Sequence, residues 1–419
     1  MGFASTWLEE RALFPELINE APDKQTGIIV VVPAYNEPGI CKLLDSLILC
    51  SEPVCKVEII IVVNAPENAE KESIENNKLT IKNIKSWKKE NNNCFFRLFA
   101  FIVEPSVSGW GVGLARKTGM DEAVRRFNQL NKPDGIILNL DADCIVESNY
   151  FVSICSELLY KKDRKACSIY FEHPLSGNDF EDKIYKYISL YELHLRYYFQ
   201  GLAFSGFPYV FHTVGSAIAV KALSYVKAGG MNRRQAGEDF YFIQKLVPAG
   251  GYFNLNSTVV YPSPRASSRV PFGTGASIGK LTGENSKTLL TYNFLAFREL
   301  RLFFGMSEKF YQSNSDELSE YYKSFPQGIK SFLVKNEWVE KMTEIRNNTT
   351  NLLSYEKRFF GWFNMFKIVK YLNHVSQEIF DKKPVPESAS DLLDAIGIPL
   401  NSKDPVDLLL CYRAMEKNN

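Results

Sequence analysis

The chain has 419 residues, of which 45% are hydrophobic, with 49 basic and 48 acidic side chains and a formal net charge of +1. This length allows a large buried core and two or three domains. The balanced charge argues against a strong overall attraction to nucleic acid, so we expect no nucleic-acid partner.

Short β-branched runs alternate with longer helical patterns over the first 170 residues. Such alternation is typical of a mostly parallel sheet with right-handed crossovers and helices on its faces. The pattern predicts strands at 28–32, 57–63, 95–103 and 135–140, and helices at 41–49, 69–89 and 113–130.

A second region runs from residue 150 to residue 262. Its patterns predict helices and strands in alternation, followed by a loop rich in Ser, Gly, Pro and Arg. The helices are expected at 150–160, 181–200 and 237–246, the strands at 166–171 and 213–220, and the loop at 261–279.

The chain is helical in pattern beyond residue 281, with a proline break at 383–386. We therefore expect an α/β protein in three parts. These are an N-terminal extension at 1–26, an α/β domain at 27–280 and a helical C-terminal subdomain at 281–419.

Targeting and redox signals favour the cytoplasm. The N-terminus lacks a basic stretch followed by an apolar one, and no apolar run approaches the roughly 20 residues that span a bilayer. None of the eight cysteines belongs to a CxxC pair, which favours buried free thiols over a structural zinc site. We expect a cytoplasmic chain without a transmembrane segment; peripheral contact with an inner membrane stays open.

The segment Val32–Glu37 ends the first predicted strand. Open parallel sheets bind ligands beyond the carboxyl ends of their strands. Pro33 would stiffen the turn, Tyr35 can stack on a base, and Asn36 or Glu37 can accept hydrogen bonds from ribose or base donors. An ordinary turn between a strand and a helix explains the same residues equally well.

Two carboxylates one residue apart, Asp141 and Asp143, end the fourth predicted strand. Like charges so close repel unless a cation lies beside them. A hard divalent ion, Mg²⁺ or Mn²⁺, held together with a diphosphate would resolve this repulsion. Asp143 would bind the metal, and Asp141 would bind ribose or metal-bound water. The alternative is that both cap the start of a helix.

Gly109, Gly111 and Gly113 precede a predicted helix that carries Arg116 and Lys117. Glycines permit close backbone approach, so the N–H groups at the helix start can face a phosphate or base. The two basic side chains add positive charge. The alternative is a glycine-rich loop that closes onto a helix, and the dinucleotide fingerprint GxGxxG is absent.

Adjacent acids, Glu238 and Asp239, follow Gly237 at the start of another predicted helix. Acids at this position are favoured by the helix dipole, which is the structural alternative. In the functional interpretation, Asp239 is a general base that deprotonates an acceptor hydroxyl. Glu238 would orient Asp239 or the acceptor.

Three further residues are candidate ligands. Arg265 and Arg269 lie in the Ser/Gly/Pro-rich loop and can clamp a diphosphate, offsetting leaving-group charge, although solvated surface arginines are the alternative. His173 follows the strand at 166–171. It is a candidate third metal ligand or acceptor contact, although a lone histidine is more often structural.

Four segments together resemble family 2 glycosyltransferases of the GT-A fold, in the family's order and roughly its spacing. They are VVVPAYNEP at 30–38, GVGLARKTGMD at 111–121, LDADC at 140–144 and GED at 237–239. The resemblance spans about residues 27–262. It implies a Rossmann-like GT-A sheet with a nucleotide-binding half at 27–145 and an acceptor-binding half at 146–280.

The resemblance also implies an inverting, metal-dependent sugar transfer from a UDP- or GDP-sugar, of the kind used in polysaccharide biosynthesis. The acceptor would be a glycan, a lipid-linked molecule or a small molecule, and the cofactor Mn²⁺ or Mg²⁺. By this resemblance, Pro33, Tyr35, Glu37 and Asn64 would line the pocket for the nucleobase and ribose, and Arg116 would contact the nucleobase or the diphosphate. Asp141 and Asp143 would be the DxD pair, and Asp239 would be the general base.

The sequence departs from the family at two points. Asn64 stands where members often carry an acidic pair, and the QxxRW signature and membrane helices of processive members are absent. A non-processive enzyme is therefore expected. Two other functions stay open: a sugar nucleotidyltransferase, which would release pyrophosphate, and a non-catalytic nucleotide-sugar-binding protein.

Overall fold

A computed structural model of the chain describes residues 2–103, 110–233, 237–267, 273–283 and 288–418. Strands and helices alternate in the first part of the chain. They are α1 (Ser5–Arg11), β1 (Thr26–Ala34), α2 (Cys41–Ile48), β2 (Lys56–Asn64), α3 (Lys71–Glu90), β3 (Phe96–Val103), α4 (Val112–Gln129), β4 (Ile136–Asn139), β5 (Ile145–Val146) and α5 (Tyr150–Leu158).

The following elements carry the chain to its last long strand. They are β6 (Ala166–Phe171), α6 (Asp182–Phe204), β7 (Ile218–Lys221), α7 (Ala222–Lys227), α8 (Glu238–Leu246), a 3₁₀ turn (Val247–Ala249) and β8 (Tyr252–Tyr261).

Helices dominate the remainder of the chain. They are α9 (Thr274–Thr282), α10 (Phe294–Phe304), α11 (Ser307–Gln312), α12 (Ser315–Ser324), α13 (Gln327–Phe332), α14 (Lys335–Asn347), α15 (Leu352–Trp362), α16 (Met365–Glu378), α17 (Val385–Ala395) and α18 (Pro405–Lys417), with the short strands β9 (Leu290–Thr291) and β10 (Lys383–Pro384).

The described residues form two compact units. The first takes its residues from Met1–Phe180 and Thr213–Ser277, and the second from Glu181–His212 and Ile278–Asn418. Within the second unit, α6 packs against α17 and α18. The domain boundaries expected from the sequence, at 27 and 280, stay a prediction.

The first unit contains a mixed sheet in the order β3-β2-β1-β4-β7-β6-β8-β5. Among the described strands, β3, β2, β1 and β4 run parallel, β7 is antiparallel to both of its neighbours, and β6 is parallel to β8. Helices between successive parallel strands flank this sheet. The predicted α/β architecture, a mostly parallel GT-A-like sheet followed by helices, is confirmed.

The core of the first unit forms where α4 packs closely on β1 and β2. All nine residues of β1 are buried. A β-carbon at Gly119 of α4 would lie 2.4 Å from Val31 Cγ1 and 3.1 Å from Val62 Cγ2. Glycine therefore allows the helix to approach the sheet, and with it the helix start that carries Arg116.

The N-terminal segment is part of this core. Ala4, Leu8 and Ile18 are buried in the same hydrophobic cluster as the sheet residues. The backbone N–H of Ala4 donates to Asn128 Oδ1 on α4 at 2.7 Å. The predicted extension is therefore packed structure in the described residues, held by apolar burial and a side-chain hydrogen bond.

The second unit has an aromatic core and a buried charge network. Phe303 is fully buried, with its ring centroid 5.2 Å from that of Phe325. Glu192 of α6 is also fully buried and accepts hydrogen bonds from Arg196 Nε at 2.8 Å and from Arg413 Nη2 at 2.7 Å. Such pairing offsets the cost of burying charge and ties α6 to α18.

Several predicted elements need correction. The strand expected at 213–220 is confined to Ile218–Lys221, and the loop expected at 261–279 contains the beginning of α9. β8 was missed, although Gly250 and Gly251, both with φ near +75°, mark a turn just before it. The predicted proline break lies between α16 and α17, where Pro384 pairs in β10 and α17 begins at the next residue.

No helix in the described part of the chain combines the length and apolarity required to cross a membrane.

Candidate active site

The carboxyl ends of three parallel strands bring the predicted site segments to one edge of the sheet. Pro33 of β1 lies in register with Val62 of β2, and Val31 with Asn139 of β4. The N–H of Leu140 donates to the carbonyl of Val31 at 3.1 Å. The segments that follow these strands therefore leave the sheet side by side, where open α/β sheets bind ligands.

The turn after β1 is fixed by three asparagines. Asn36 adopts a left-handed conformation with φ of +55°, which asparagine tolerates better than most residues. Its backbone N–H donates to Asn77 Oδ1 at 2.9 Å, and its own Oδ1 accepts from Asn76 Nδ2 at 2.8 Å. These bonds anchor to α3 the turn that carries Glu37.

Two predicted base-pocket residues contact the loop that begins α4. Asn64 is buried, and its Nδ2 donates to the carbonyl of Gly111 at 2.9 Å. Gly111 has a φ of +129°, a conformation that favours glycine. The rings of Tyr35 and Trp110 pack edge to face with centroids 5.4 Å apart. Tyr35 and Asn64 are therefore held in neighbouring positions by the same loop.

Arg116 joins two of the predicted acidic segments. Its side chain is buried; Nη1 donates to Glu238, and Nη2 donates to Asp141 Oδ1 at 2.5 Å. Burial opposes its charge, but the carboxylates of Asp141, Glu238 and Asp239 outweigh burial and raise the pKa of Arg116 above its ordinary value. In this arrangement Arg116 bridges protein carboxylates; its predicted contact with a base or diphosphate stays a prediction.

Gly215 is a site residue that the sequence analysis did not identify. Because β7 is antiparallel to β4, with Ile218 opposite Asn139, the residues just before β7 lie at the carboxyl end of β4. A β-carbon at Gly215 would stand 2.2 Å from Arg116 Nη1 and 2.6 Å from its Cζ. The missing side chain therefore makes the room that the guanidinium occupies.

Gly215→Ala is expected to displace Arg116 and to destabilise the first unit. Overpacking of this kind costs about 1–3 kcal/mol, so the melting temperature should fall by several degrees. The matched control is Gly39→Ala in the same unit, where a β-carbon meets nothing within 4 Å. Differential scanning calorimetry on both variants, and on Gly215→Ala combined with Arg116→Lys, checks the cause. Strictly additive losses in the double variant would contradict the proposed clash.

Arg265 joins the third acidic segment to the aspartate pair. Its Nη2 donates to Glu37 Oε1 at 2.5 Å and to Asp143 Oδ2 at 3.0 Å. Burial works against its charge, but these two carboxylates prevail and raise its pKa. The Arg265 side chain is 33% exposed to solvent, whereas the Arg116 side chain is 4% exposed. Arg269, the other predicted clamp residue, lies outside the described residues.

Asp239 has the electrostatics of a group that titrates near neutrality. It stands in the first turn of α8 beside Gly237, whose φ of +73° favours glycine. Burial raises the pKa of Asp239 to about 6; the charge of Glu238 adds to this rise, and that of Arg116 opposes it. A carboxyl group with such a pKa is mostly ionised at pH 7 and can then accept a proton from a hydroxyl group.

Among the described residues of this edge, carboxyl groups outnumber guanidinium groups. The described residues contribute five, Glu37, Asp141, Asp143, Glu238 and Asp239, against the guanidinium groups of Arg116 and Arg265. Asp141 and Asp143 keep 36% and 29% of their side-chain exposure. Partly exposed carboxylate oxygens are the donor chemistry that Mg²⁺ and Mn²⁺ prefer, so Asp141 and Asp143 fit as ligands of a divalent ion.

His173 lies just after β6 and is buried, with its ring packed edge-on against Phe171 at 5.7 Å. Among the described residues, no three His, Cys, Asp or Glu side chains are grouped so that they could hold a metal ion. The predicted role of His173 as a metal ligand stays a prediction. The two aspartates would need oxygen atoms from a donor diphosphate to complete a coordination shell.

Comparison with known proteins returned structural matches alone. No family model matches the sequence, and no curated protein matches it. TarS of S. aureus with UDP-GlcNAc aligns with a TM-score of 0.36 and 12% identity over 93% of this chain and 91% of that one. A mannosyltransferase from Pyrobaculum calidifontis with GDP-Man and Mn²⁺ aligns with a TM-score of 0.36 and 14% identity. The alignment covers 99% of this chain and 92% of that one.

A third match is glucosyl-3-phosphoglycerate synthase from Mycobacterium tuberculosis with Mn²⁺, uridine diphosphate and phosphoglyceric acid. It gives a TM-score of 0.34 and 15% identity over 55% of this chain and 69% of that one. Similarities this low do not establish a shared activity.

Proposed function

We propose that this chain is a metal-dependent glycosyltransferase of the family 2 type. It would transfer a sugar from a nucleotide diphosphate sugar to an acceptor hydroxyl, with inversion and without processive elongation. One observation carries the proposal. Acidic side chains from three separate segments, represented by Glu37, Asp143 and Glu238, lie at one sheet edge and are joined by two arginines.

Each end of this cluster suits a different part of the reaction. Asp239, with its raised pKa, is the proposed base that takes the acceptor proton as the anomeric carbon is attacked. The backbone N–H of Phe240 donates to Asp239 Oδ1 at 2.7 Å, and the neighbouring Glu238 accepts a hydrogen bond from Arg116. Because the proton passes to a carboxylate at the start of α8, the acceptor must approach from that side of the cluster.

The other end of the cluster suits the leaving nucleotide diphosphate. Arg265 is partly exposed and can turn from Asp143 towards phosphate oxygens, which guanidinium groups bind in a bidentate manner. A divalent ion held by Asp143, with Asp141 beside it, would supply neutralisation of the leaving diphosphate. Pro33, Tyr35, Glu37 and Asn64 are the proposed base and ribose contacts.

A donor screen tests the proposal. Purified full-length protein is heated with UDP- and GDP-sugars, each with and without Mn²⁺, and with the free nucleoside diphosphates. A donor that binds the native state at 100 times its dissociation constant should add about 2.7 kcal/mol of stability, visible as a metal-dependent rise in melting temperature. The stabilising donor is then assayed for release of nucleoside diphosphate.

The assay separates the proposal from its two rivals. Metal-dependent release of nucleoside diphosphate supports glycosyl transfer. Release of pyrophosphate from a nucleoside triphosphate and a sugar phosphate would replace the proposal with a nucleotidyltransferase. Donor binding with neither transfer nor hydrolysis across a panel of acceptors would leave a nucleotide-sugar-binding protein.

A further inference from the structure

Two cysteines away from the candidate active site lie with their sulfur atoms in contact. Cys55 immediately precedes β2 and is partly exposed, whereas Cys155 lies in α5 and is buried. Their Sγ atoms are 3.8 Å apart, and both thiols are free. A disulfide needs these atoms at about 2 Å, so bond formation requires them to approach by roughly 2 Å.

The backbone of β1 makes room for Cys55. A β-carbon at Gly27 would lie 2.7 Å from both Cβ and Sγ of Cys55, so glycine is required for this close approach. The register between β1 and β2 shifts between Thr26 and Ile28, which places an irregularity at the same point. Lys132 Nζ donates to the carbonyl of Thr26 at 2.8 Å, so its charge is held next to this pocket.

The surroundings make the two thiols chemically unequal. A hydrogen bond from the thiol of Cys155 lowers the pKa of Cys55; burial opposes this effect, and the charge of Lys132 and the N–H of Gly27 reinforce it. The same hydrogen bond, together with burial, raises the pKa of Cys155. In contrast, burial raises the pKa of Cys50 to about 12. Thiolate character is therefore concentrated on Cys55.

We propose that Cys55 and Cys155 form a redox-active thiol pair, in which Cys55 reacts first with a peroxide and Cys155 then closes a disulfide. The Cys55 thiolate attacks one oxygen of hydrogen peroxide, the O–O bond breaks, and sulfenic acid and hydroxide form. Cys155 sulfur then attacks Cys55 sulfur, forming the S–S bond and expelling water. The two thiols lose two hydrogen atoms, and the peroxide is reduced to two molecules of water.

The pair lies at the amino end of β2, and the candidate active site lies at its carboxyl end. A nine-residue strand separates them by roughly 25–30 Å. The bond would close a loop of about 100 residues, which restricts the unfolded chain. Disulfide formation would therefore raise the stability of the first unit. The thiol-pair proposal does not depend on the proposed glycosyltransferase activity.

The experiment treats reduced full-length protein with a small excess of hydrogen peroxide and quenches it with a thiol-alkylating reagent. Peptide mass spectrometry should find Cys55 and Cys155 joined, with the mass of two hydrogen atoms lost and two fewer alkylated thiols. The melting temperature of the oxidised protein should rise by roughly 5 °C or more, and a reducing agent should reverse the rise.

Two variants locate the first step. Cys155→Ser should accumulate sulfenic acid on Cys55, which a 1,3-diketone reagent traps, whereas Cys55→Ser should give neither the adduct nor the disulfide. Cys50→Ser is the control and should oxidise as the unaltered chain does. The proposal is overturned if peptide mapping of the unaltered chain shows Cys55 and Cys155 still as thiols while other cysteines are oxidised.

Discussion

Asp143→Asn is expected to lower kcat/KM about 1,000-fold or more and to remove the Mn²⁺ dependence of donor binding. A divalent ion at a developing diphosphate contributes several kcal/mol, and about 4 kcal/mol corresponds to three orders of magnitude in rate. Asparagine keeps the shape of the side chain but removes the charge that would hold the ion. Steady-state kinetics and calorimetric titration of the donor with and without Mn²⁺ measure the two effects.

Asp134→Asn is the matched control for this experiment. Asp134 precedes β4 at its opposite end, its side chain is 76% exposed, and its partner is Lys221 at 3.4 Å. Asp134 itself is exposed, although Lys221 is buried, and it lies at the other end of the strand from the candidate site, so the variant should keep its activity and its metal dependence. Full activity in Asp143→Asn, together with insensitivity to a chelator, would remove the metal from the proposed mechanism.

Arg265→Gln separates the roles of metal and diphosphate further. Its guanidinium contacts Asp143, so it competes with any cation for that carboxylate. Because the arginine is one-third exposed, the competition is worth at most about 1 kcal/mol. Binding of Mn²⁺ alone should therefore tighten by up to about fivefold, while binding of the donor weakens. Weaker binding of both ligands would indicate a purely structural role for Arg265.

Much of the sheet is predictable because local patterns determine it. The β-branched runs that become β1 and β2 are buried on both faces, and buried parallel strands have that composition. Strands that are very short, or whose polar and apolar residues are mixed, are harder to predict. β5 has two residues, and the first half of β8 is mostly half-buried with Asn254 exposed, so tertiary pairing determines these strands more than their own sequence does.

The candidate site was predictable as a set of segments, and its internal contacts were not. The order of the strands follows from general rules, so acids that end β4 and polar residues that end β1 were expected at one edge. The partners of Arg116 could not be derived in this way, because 122 residues separate it from Glu238. Gly215 was missed for the same reason, because the need for glycine at this position comes from the guanidinium of Arg116, which belongs to another element.

Asp239→Asn is expected to retain donor binding and to lose transfer, with kcat reduced roughly 100- to 10,000-fold, the usual contribution of a general base. Asparagine is close in size to aspartate, so the contacts of Glu238 with Arg116 should persist. The measurements are kcat under donor saturation and donor affinity by calorimetry. Asp163→Asn, which alters an exposed aspartate of the same unit, is the control.

The pH dependence of the reaction tests whether Asp239 acts as the base or only as a helix-terminal acid. Because a base acts in its ionised form, activity should fall as pH drops below its pKa of about 6, by about tenfold per pH unit. At pH 7 and above Asp239 is already ionised, so its titration causes no further rise in activity. The residual activity of Asp239→Asn should lack that acidic limb. An unchanged limb in this variant, or full activity, would assign Asp239 to the start of α8 as an ordinary helix-terminal acid, which stabilises a helix through its dipole.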